Sequence, residues 1–309
     1  MAIDYTTTGM IASIKRRGVL PDSQILYDPD DLVNIMTEEL QSIIVPLIMA
    51  VREEYFVVNV DQSISTNQNT FFIPFRAIGM KLRDVVLVNS QGTEIPLPRY
   101  SPEDIKNQIN NSRFEIGVYL DNDRVLFIPT TTDYSAYTLR MKIFRRPNNL
   151  IQASQSGKIT AINTVTKQVT LATLPSIFTT SLTYDFIKGM PSFRAHAEAQ
   201  PITTILGFVL TFTNALPSDL AVGDYVAETG FSPIPQIPYE VHRLLEQRVV
   251  VKIMEGLKDS TGRKLAIDNY DEMVKEFERI VTPRVDGAPK KVVSTRGIAR
   301  HMGSIGVRW

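Results

Sequence analysis

The hydrophobic period of this chain changes twice, and that change limits its fold more than any other feature. From Asp28 to Val51, apolar residues recur at helical spacing: Leu32, Ile35, Met36, Leu40, Ile43, Ile44, Leu47, Ile48 and Val51 share one face. From about Phe56 to Pro235 the period falls to two, in short runs separated by Pro, Asn, Asp, Gly and Ser. After the Pro-punctuated stretch Ser232–Pro238 the helical spacing returns. A helical face needs a partner, and the nearest candidates are the two helical regions themselves. The pattern therefore predicts an α+β fold with a helical body and a β domain inserted into it.

Local signals set the boundaries. Asp28 is a good N-cap, Pro29 suits the first helical position, and Asp30 and Asp31 complement the positive helix end. Pro46 lies inside the pattern and predicts a kink near residues 42–46. Tyr137, Leu139, Met141 and Ile143 alternate with polar residues, which predicts a half-buried strand. Val125–Ile128, Asp84–Val88, Ile205–Phe212 and Tyr225–Ala227 are further strand candidates. Gly157–Ile162 and Gln168–Leu171 flank a loop and predict a hairpin. Ser101–Asn111 reads as a short helix with Ser101 as its cap. Many short strands at this spacing predict an antiparallel β-sandwich or barrel.

The C-terminal helical pattern predicts a hairpin. Its first helix opens at Pro238 and runs to about Lys258, with Val241, Leu244, Leu245, Val249, Ile253 and Leu257 apolar. Asp259–Arg263 reads as the turn. The second helix presents Ile267, Tyr270, Met273, Val274, Phe277, Ile280 and Val281 and ends at Pro283. The expected organisation is an irregular, polar N-terminal extension over residues 1–26, with a basic cluster at Lys15, Arg16 and Arg17. A helical body follows from residues 27–55 and 236–282, made of one long N-terminal helix and the hairpin. The inserted β domain spans residues 56–235, and an extended C-terminal arm spans residues 283–309.

That arm differs from the rest of the chain. Its 27 residues carry six Lys/Arg (Arg284, Lys290, Lys291, Arg296, Arg300, Arg308) and one acid, Asp286. Its local charge is thus +5, and because the chain sums to zero the remaining residues sum to −5. Four glycines and two prolines break any regular period, and its last residue, Trp309, is the only Trp. A large apolar ring on a basic, irregular segment is expected to be buried on a partner.

Composition narrows the function classes. Hydrophobic content of 43% and charge of 21% are those of soluble globular proteins. Cysteine is absent, which excludes disulfides, thiolate metal sites and cysteine nucleophiles. The opening residues show no secretory leader pattern. The apolar runs Ile43–Val51 and Ile205–Phe212 fall short of the ~20 residues of a membrane helix, so no membrane association is expected. Net neutrality argues against a general nucleic-acid binder.

No catalytic set emerges. His196-Ala-Glu198 resembles the His-x-Glu of zinc deaminases, but the required cysteine pair is missing. His242 has no ligand partner four residues away, and His301 lies in the arm, so all three histidines read as structural or solvated. Gly157-Lys158 lacks the earlier glycine and the following Ser/Thr of a phosphate loop. Asp121 with Asp123 and Glu53 with Glu54 read as turn caps and a solvated helix face. Arg145-Arg146-Pro147 reads as an exposed strand end before a turn, with a binding site as the lesser reading. No catalytic, cofactor or metal residues are assigned.

Three stretches are similar to tailed-phage head-to-tail adaptor proteins, which join the portal to the tail. They are Tyr137-Thr-Leu-Arg-Met-Lys-Ile-Phe-Arg-Arg-Pro147, then Gly223-Asp-Tyr-Val-Ala-Glu-Thr-Gly230 with Pro233–Pro238 and Glu240–Arg248, and Pro283–Lys291. The resemblance implies a virion protein at the phage neck, made in the host cytoplasm. It implies a homo-oligomeric ring, a dodecamer, that contacts the portal and other tail or neck proteins and lines the DNA passage without sequence-specific contacts. It also implies that the arm reaches into the portal through Arg284, Lys290, Lys291, Arg296, Arg300, Arg308 and Trp309. The large β insert departs from a minimal helical adaptor. Two alternatives stay open: another phage structural component (tail tube, baseplate or fibre attachment), and a β-sandwich carbohydrate-active enzyme.

Overall fold

The structure, a computed structural model, describes residues 4–20, 27–103, 116–128 and 133–281. Its long N-terminal helical run starts where the capping signals put it. The Asp28 carboxylate accepts a hydrogen bond from the Asp31 amide at 2.7 Å, and α2 spans Pro29–Glu39 (α1 is described below). A π-turn over Leu40–Ile44 follows, then α3, Val45–Arg52, and one 3-10 turn, Glu53–Phe56. The π-turn is the form the predicted kink takes. Pro46 has no N–H and its ring would press on the carbonyl of Ser42 in a tight α-turn. The wider turn, in which the Val45 amide reaches back to the Leu40 carbonyl, relieves that conflict.

Within residues 1–26, the described residues 4–20 do not form the irregular extension expected there. Thr6 caps α1, Thr7–Arg17, by accepting a hydrogen bond from the Gly9 amide. Met10, Ile11 and Ile14 lie one turn apart and are buried in the helical core. The Thr7 hydroxyl and amide donate to the carbonyls of Ile151 and Pro233 at 2.8 Å each, which fixes the helix to the strand exits.

The C-terminal hairpin is present with a tighter turn than expected. A 3-10 turn, Tyr239–Val241, leads into α4, His242–Gly256, and α5 runs from Ser260 to Val281. The chain reverses over Leu257–Asp259, not Asp259–Arg263. Lys258 takes a positive φ of 58°, and Asp259 caps α5 by accepting from the Gly262 amide at 2.9 Å. Leu32, Met36, Leu40, Ile44 and Ile48 from the long run meet Leu244, Leu245, Val249 and Ile253 of α4, with Phe277 of α5 closing the layer. Each such side chain stabilises the fold by roughly 1.5–3 kcal/mol. By length and composition Pro29–Phe56 is apolar enough to cross a membrane, but its buried face is spent inside this core.

The fold is α+β with an inserted β region, and that region contains both of the expected architectures. The first is a sandwich. One sheet has the order β1 (Val57–Ser63), β8 (Thr138–Arg145), β3 (Ala77–Val88), β4 (Glu94–Pro96). The other has the order β2 (Thr70–Phe72), β7 (Arg124–Ile128), β6 (Gly117–Asp121), β5 (Arg99–Tyr100). Val85, Leu87, Leu139, Met141 and Ile143 of the first sheet pack on Phe71, Val118, Val125 and Phe127 of the second. The helix expected at Ser101–Asn111 lies mostly outside the described residues; Pro102 and Glu103 are helical.

The second unit is a closed six-stranded barrel. Its strands are β10 (Gly157–Asn163), β11 (Gln168–Leu171), β14 (Val209–Phe212), β13 (Ala195–Leu206), β12 (Thr183–Ile187) and β15 (Tyr225–Glu228), which returns to β10. The expected β10–β11 hairpin forms, with Asn163 opposite Gln168. Ile205–Phe212 is not one buried strand. It turns back at Gly207, whose φ is 57°, and Leu206 pairs with Val209. A two-residue loop with glycine first and at positive φ closes a twisted hairpin without strain. A short parallel pair, β9 (Asn149–Leu150) with β16 (Phe231–Ser232), joins the exits of the two β units beside the helices.

Candidate partner-binding site

The predicted docking residues Arg284, Lys290, Lys291, Arg296, Arg300, Arg308 and Trp309 lie outside the described residues. The described part of the site is its root. Helix α5, 22 residues long, carries the chain to that segment. Beside its last turns, a cavity of about 490 Å³ lies between the N-terminal segment, α4 and α5. Leu244, Met273, Phe277 and Ile280 give it apolar walls, and Arg17, Glu240, Arg243 and Glu276 surround them with both signs of charge. Ile280 is 55% exposed and Leu265, on the same helix, 60%. An apolar cavity with a polar rim suits protein contact.

A second site was only half visible in sequence. Arg145-Arg146-Pro147 ends β8 where the sandwich, the barrel and the helical unit meet. Arg145 is not an exposed strand end: its side chain is 16% exposed and contacts Glu198 of β13. Arg76, in the loop before β3, reaches Asp185 of β12 at 3.4 Å and also contacts Glu198 and Asn148. Asp185 is fully buried and accepts from the amides of Ala199 and Gly230 and from Asn148 Nδ2. The Asn148 amide in turn donates to Gln236 Oε1 at 2.8 Å. Burial lowers the Arg145 pKa; the Glu198 carboxylate opposes that shift, and Arg76 and Arg194 add to it. The side-chain partners Arg76, Asn148, Asp185 and Glu198 pair across 37 to 122 residues of chain, so no local motif announces them.

The other residues singled out in sequence fall into structural settings. His242 is 1% exposed, with Nδ1 3.2 Å from the Pro238 carbonyl and its ring against Tyr5 and Phe193. Burial pushes its pKa down to about 4. His196 lies in β13, and His301 lies outside the described residues. Arg17 of the basic cluster sits 3.3 Å from Glu246. Gly157 is a packing glycine: a Cβ there would come within 2.4 Å of Leu171 Cδ1. Asp121 and Asp123 flank the β6–β7 turn at Asn122, and Glu53 and Glu54 open the 3-10 turn. Among the described residues no group of three or more His, Asp or Glu is placed to hold a metal ion.

No protein-family model matches the chain. A comparison with curated proteins likewise gives no match.

Proposed function

We propose that the protein is a structural virion component, an adaptor that forms a ring between a phage portal and its tail and docks through residues 283–309. One observation carries this reading. The α4–α5 hairpin packs into the helical core and hands the chain directly to a basic, Gly/Pro-rich segment that holds the only Trp. A rigid helix pair at the root of a polar, anchor-bearing segment is the arrangement a multivalent clamp needs. Each arm contributes modest affinity, and the ring multiplies it. Pairing of its Arg and Lys with partner carboxylates and burial of Trp309 offset the cost of ordering the segment. The sequence resemblance to head-to-tail adaptors points the same way.

The β insert extends this role. It adds two units with their own cores, which offer surface for neighbouring neck proteins or fibres. Passing DNA would meet the ring without sequence reading.

Light scattering of the protein alone and mixed with its cognate portal ring tests the proposal. The expected result is a discrete ring-sized complex, twelvefold by electron microscopy of the assembled particle. A protein that stays monomeric in the presence of portal, or that assembles only with tail-tube or baseplate proteins, contradicts it.

A further inference from the structure

We propose that the cavity at the three-way junction binds a small oxyanion. The cavity has a volume of about 60 Å³ and is lined by Arg145, Arg146, Arg194, Gln236, Tyr55 and Phe56, together with Val58, Pro147 and Ala195. Three arginines line it and no acidic residue does. The nearby acids are committed elsewhere: Asp185 and Glu198 hold Arg76 and Arg145 from the barrel side. Arg146 and Arg194 stand at the exposed rim. Arg194 is held in place by donating Nη2 to the Tyr55 carbonyl at 2.8 Å and by stacking on the Tyr55 ring at 4.5 Å.

The second observation is a donor with nothing to bond. Gln236 is 6% exposed and lines the same cavity. Its Oε1 accepts from the Asn148 amide, while its buried Nε2 has no hydrogen-bond partner among the described residues. An unpaired buried amide is costly to a fold, and an arriving acceptor relieves that cost. Arginines and an amide N–H together present donors only, and they match the oxygens of a phosphate, sulfate or carboxylate. The volume of about 60 Å³ exceeds the ~30 Å³ share of one water molecule, so the cavity has room for such a group.

The lining residues come from the 3-10 turn before β1 and the start of β1, the end of β8, the start of β13 and the return into the helices. A bound oxyanion would therefore tie the sandwich, the barrel and the helical unit together. The oxygens could belong to a free ion or to an acidic side chain of a docked partner, and both present the same chemistry to the site.

The test is calorimetric titration of the full chain with inorganic phosphate, sulfate and acetate at constant ionic strength, with the Arg146→Gln/Arg194→Gln double variant beside it. Both substituted side chains are exposed, so the variant should fold. The basic residues of the C-terminal segment also attract anions, but they are identical in the two proteins. Saturable binding to the wild type, at least tenfold weaker in the variant, is the expected result. Preference for phosphate or sulfate identifies a free tetrahedral ion; equal or tighter acetate binding identifies a partner carboxylate. Absence of saturable binding by all three, or equal binding to both proteins, overturns the proposal. Either outcome is independent of ring formation.

Discussion

Both ends of this chain carry basic clusters beside scattered apolar residues, yet their sequence patterns differ. At the N-terminal end, Lys15, Arg16 and Arg17 occupy the last turn of α1, where cations complement the negative helix end. The apolar residues of that helix fall at positions 10, 11 and 14, one face of a single turn, and all three are buried. At the C-terminal end glycines interrupt the apolar residues. Gly297, Gly303 and Gly306 separate Val293, Ile298, Ile305 and Val307, and Trp309 stands last. The difference is one of glycine content: α1 holds one glycine, and the last 27 residues hold four. Apolar residues that share a helical face can be used inside the molecule; apolar residues interrupted by glycine suit a surface supplied from outside.

Removing residues 1–17 should produce the largest effect. It strips three buried apolar side chains from the core, a loss of roughly 5 kcal/mol or more, and also removes the bonds of Thr7 to Ile151 and Pro233. The helical signal by circular dichroism should fall well beyond the 11 residues of α1. A truncated protein with unchanged unfolding would show that α1 is dispensable and break the comparison. Ile14→Ala is the milder form and should cost about 3 kcal/mol by denaturant unfolding, as expected for a fully buried aliphatic side chain.

A pH effect arises at the same end, because Tyr5 packs on His242. The imidazole titrates near 6.5 when unfolded and is pushed down to about 4 by burial in the fold. The stability tied to its neutral form is therefore complete above pH 6.5. It is lost as pH falls toward 4, to a total of about 3 kcal/mol. His242→Phe should flatten that part of the stability profile relative to the wild type. Parallel profiles would show that the ring is not kept neutral. A smaller effect is expected at Ser13, whose hydroxyl donates to the buried Glu246 carboxylate at 2.7 Å. Ser13→Ala should cost about 1–2 kcal/mol and push the already raised Glu246 pKa further up, readable by carboxyl NMR titration.

Legibility in the sequence followed signal length. The long helix could be read because nine apolar positions, a capping Asp and a following Pro agree with one another. Helix α1 could not, since three threonines and a glycine surround only three apolar positions, although Thr6 as a cap was a usable signal. Strands β8, β10 and β11 were clear from alternation and flanking turns. The Ile205–Phe212 run misled because an unbroken apolar run looks alike whether it is one strand or two folded on a glycine. The charged junction was invisible apart from Arg145 and Arg146. Arg76, Asp185, Glu198 and Gln236 are brought together by tertiary packing, and no spacing rule connects them.

The central claim is that residues 283–309 serve a partner and not the body. The most direct measurement deletes Ala288–Trp309 and compares the product with the full chain in unfolding midpoint and in affinity for the cognate portal ring. The account predicts a folded protein, with stability changed by less than about 0.5 kcal/mol, that has lost portal binding. Full portal affinity in the deletion, or collapse of its fold, would contradict it.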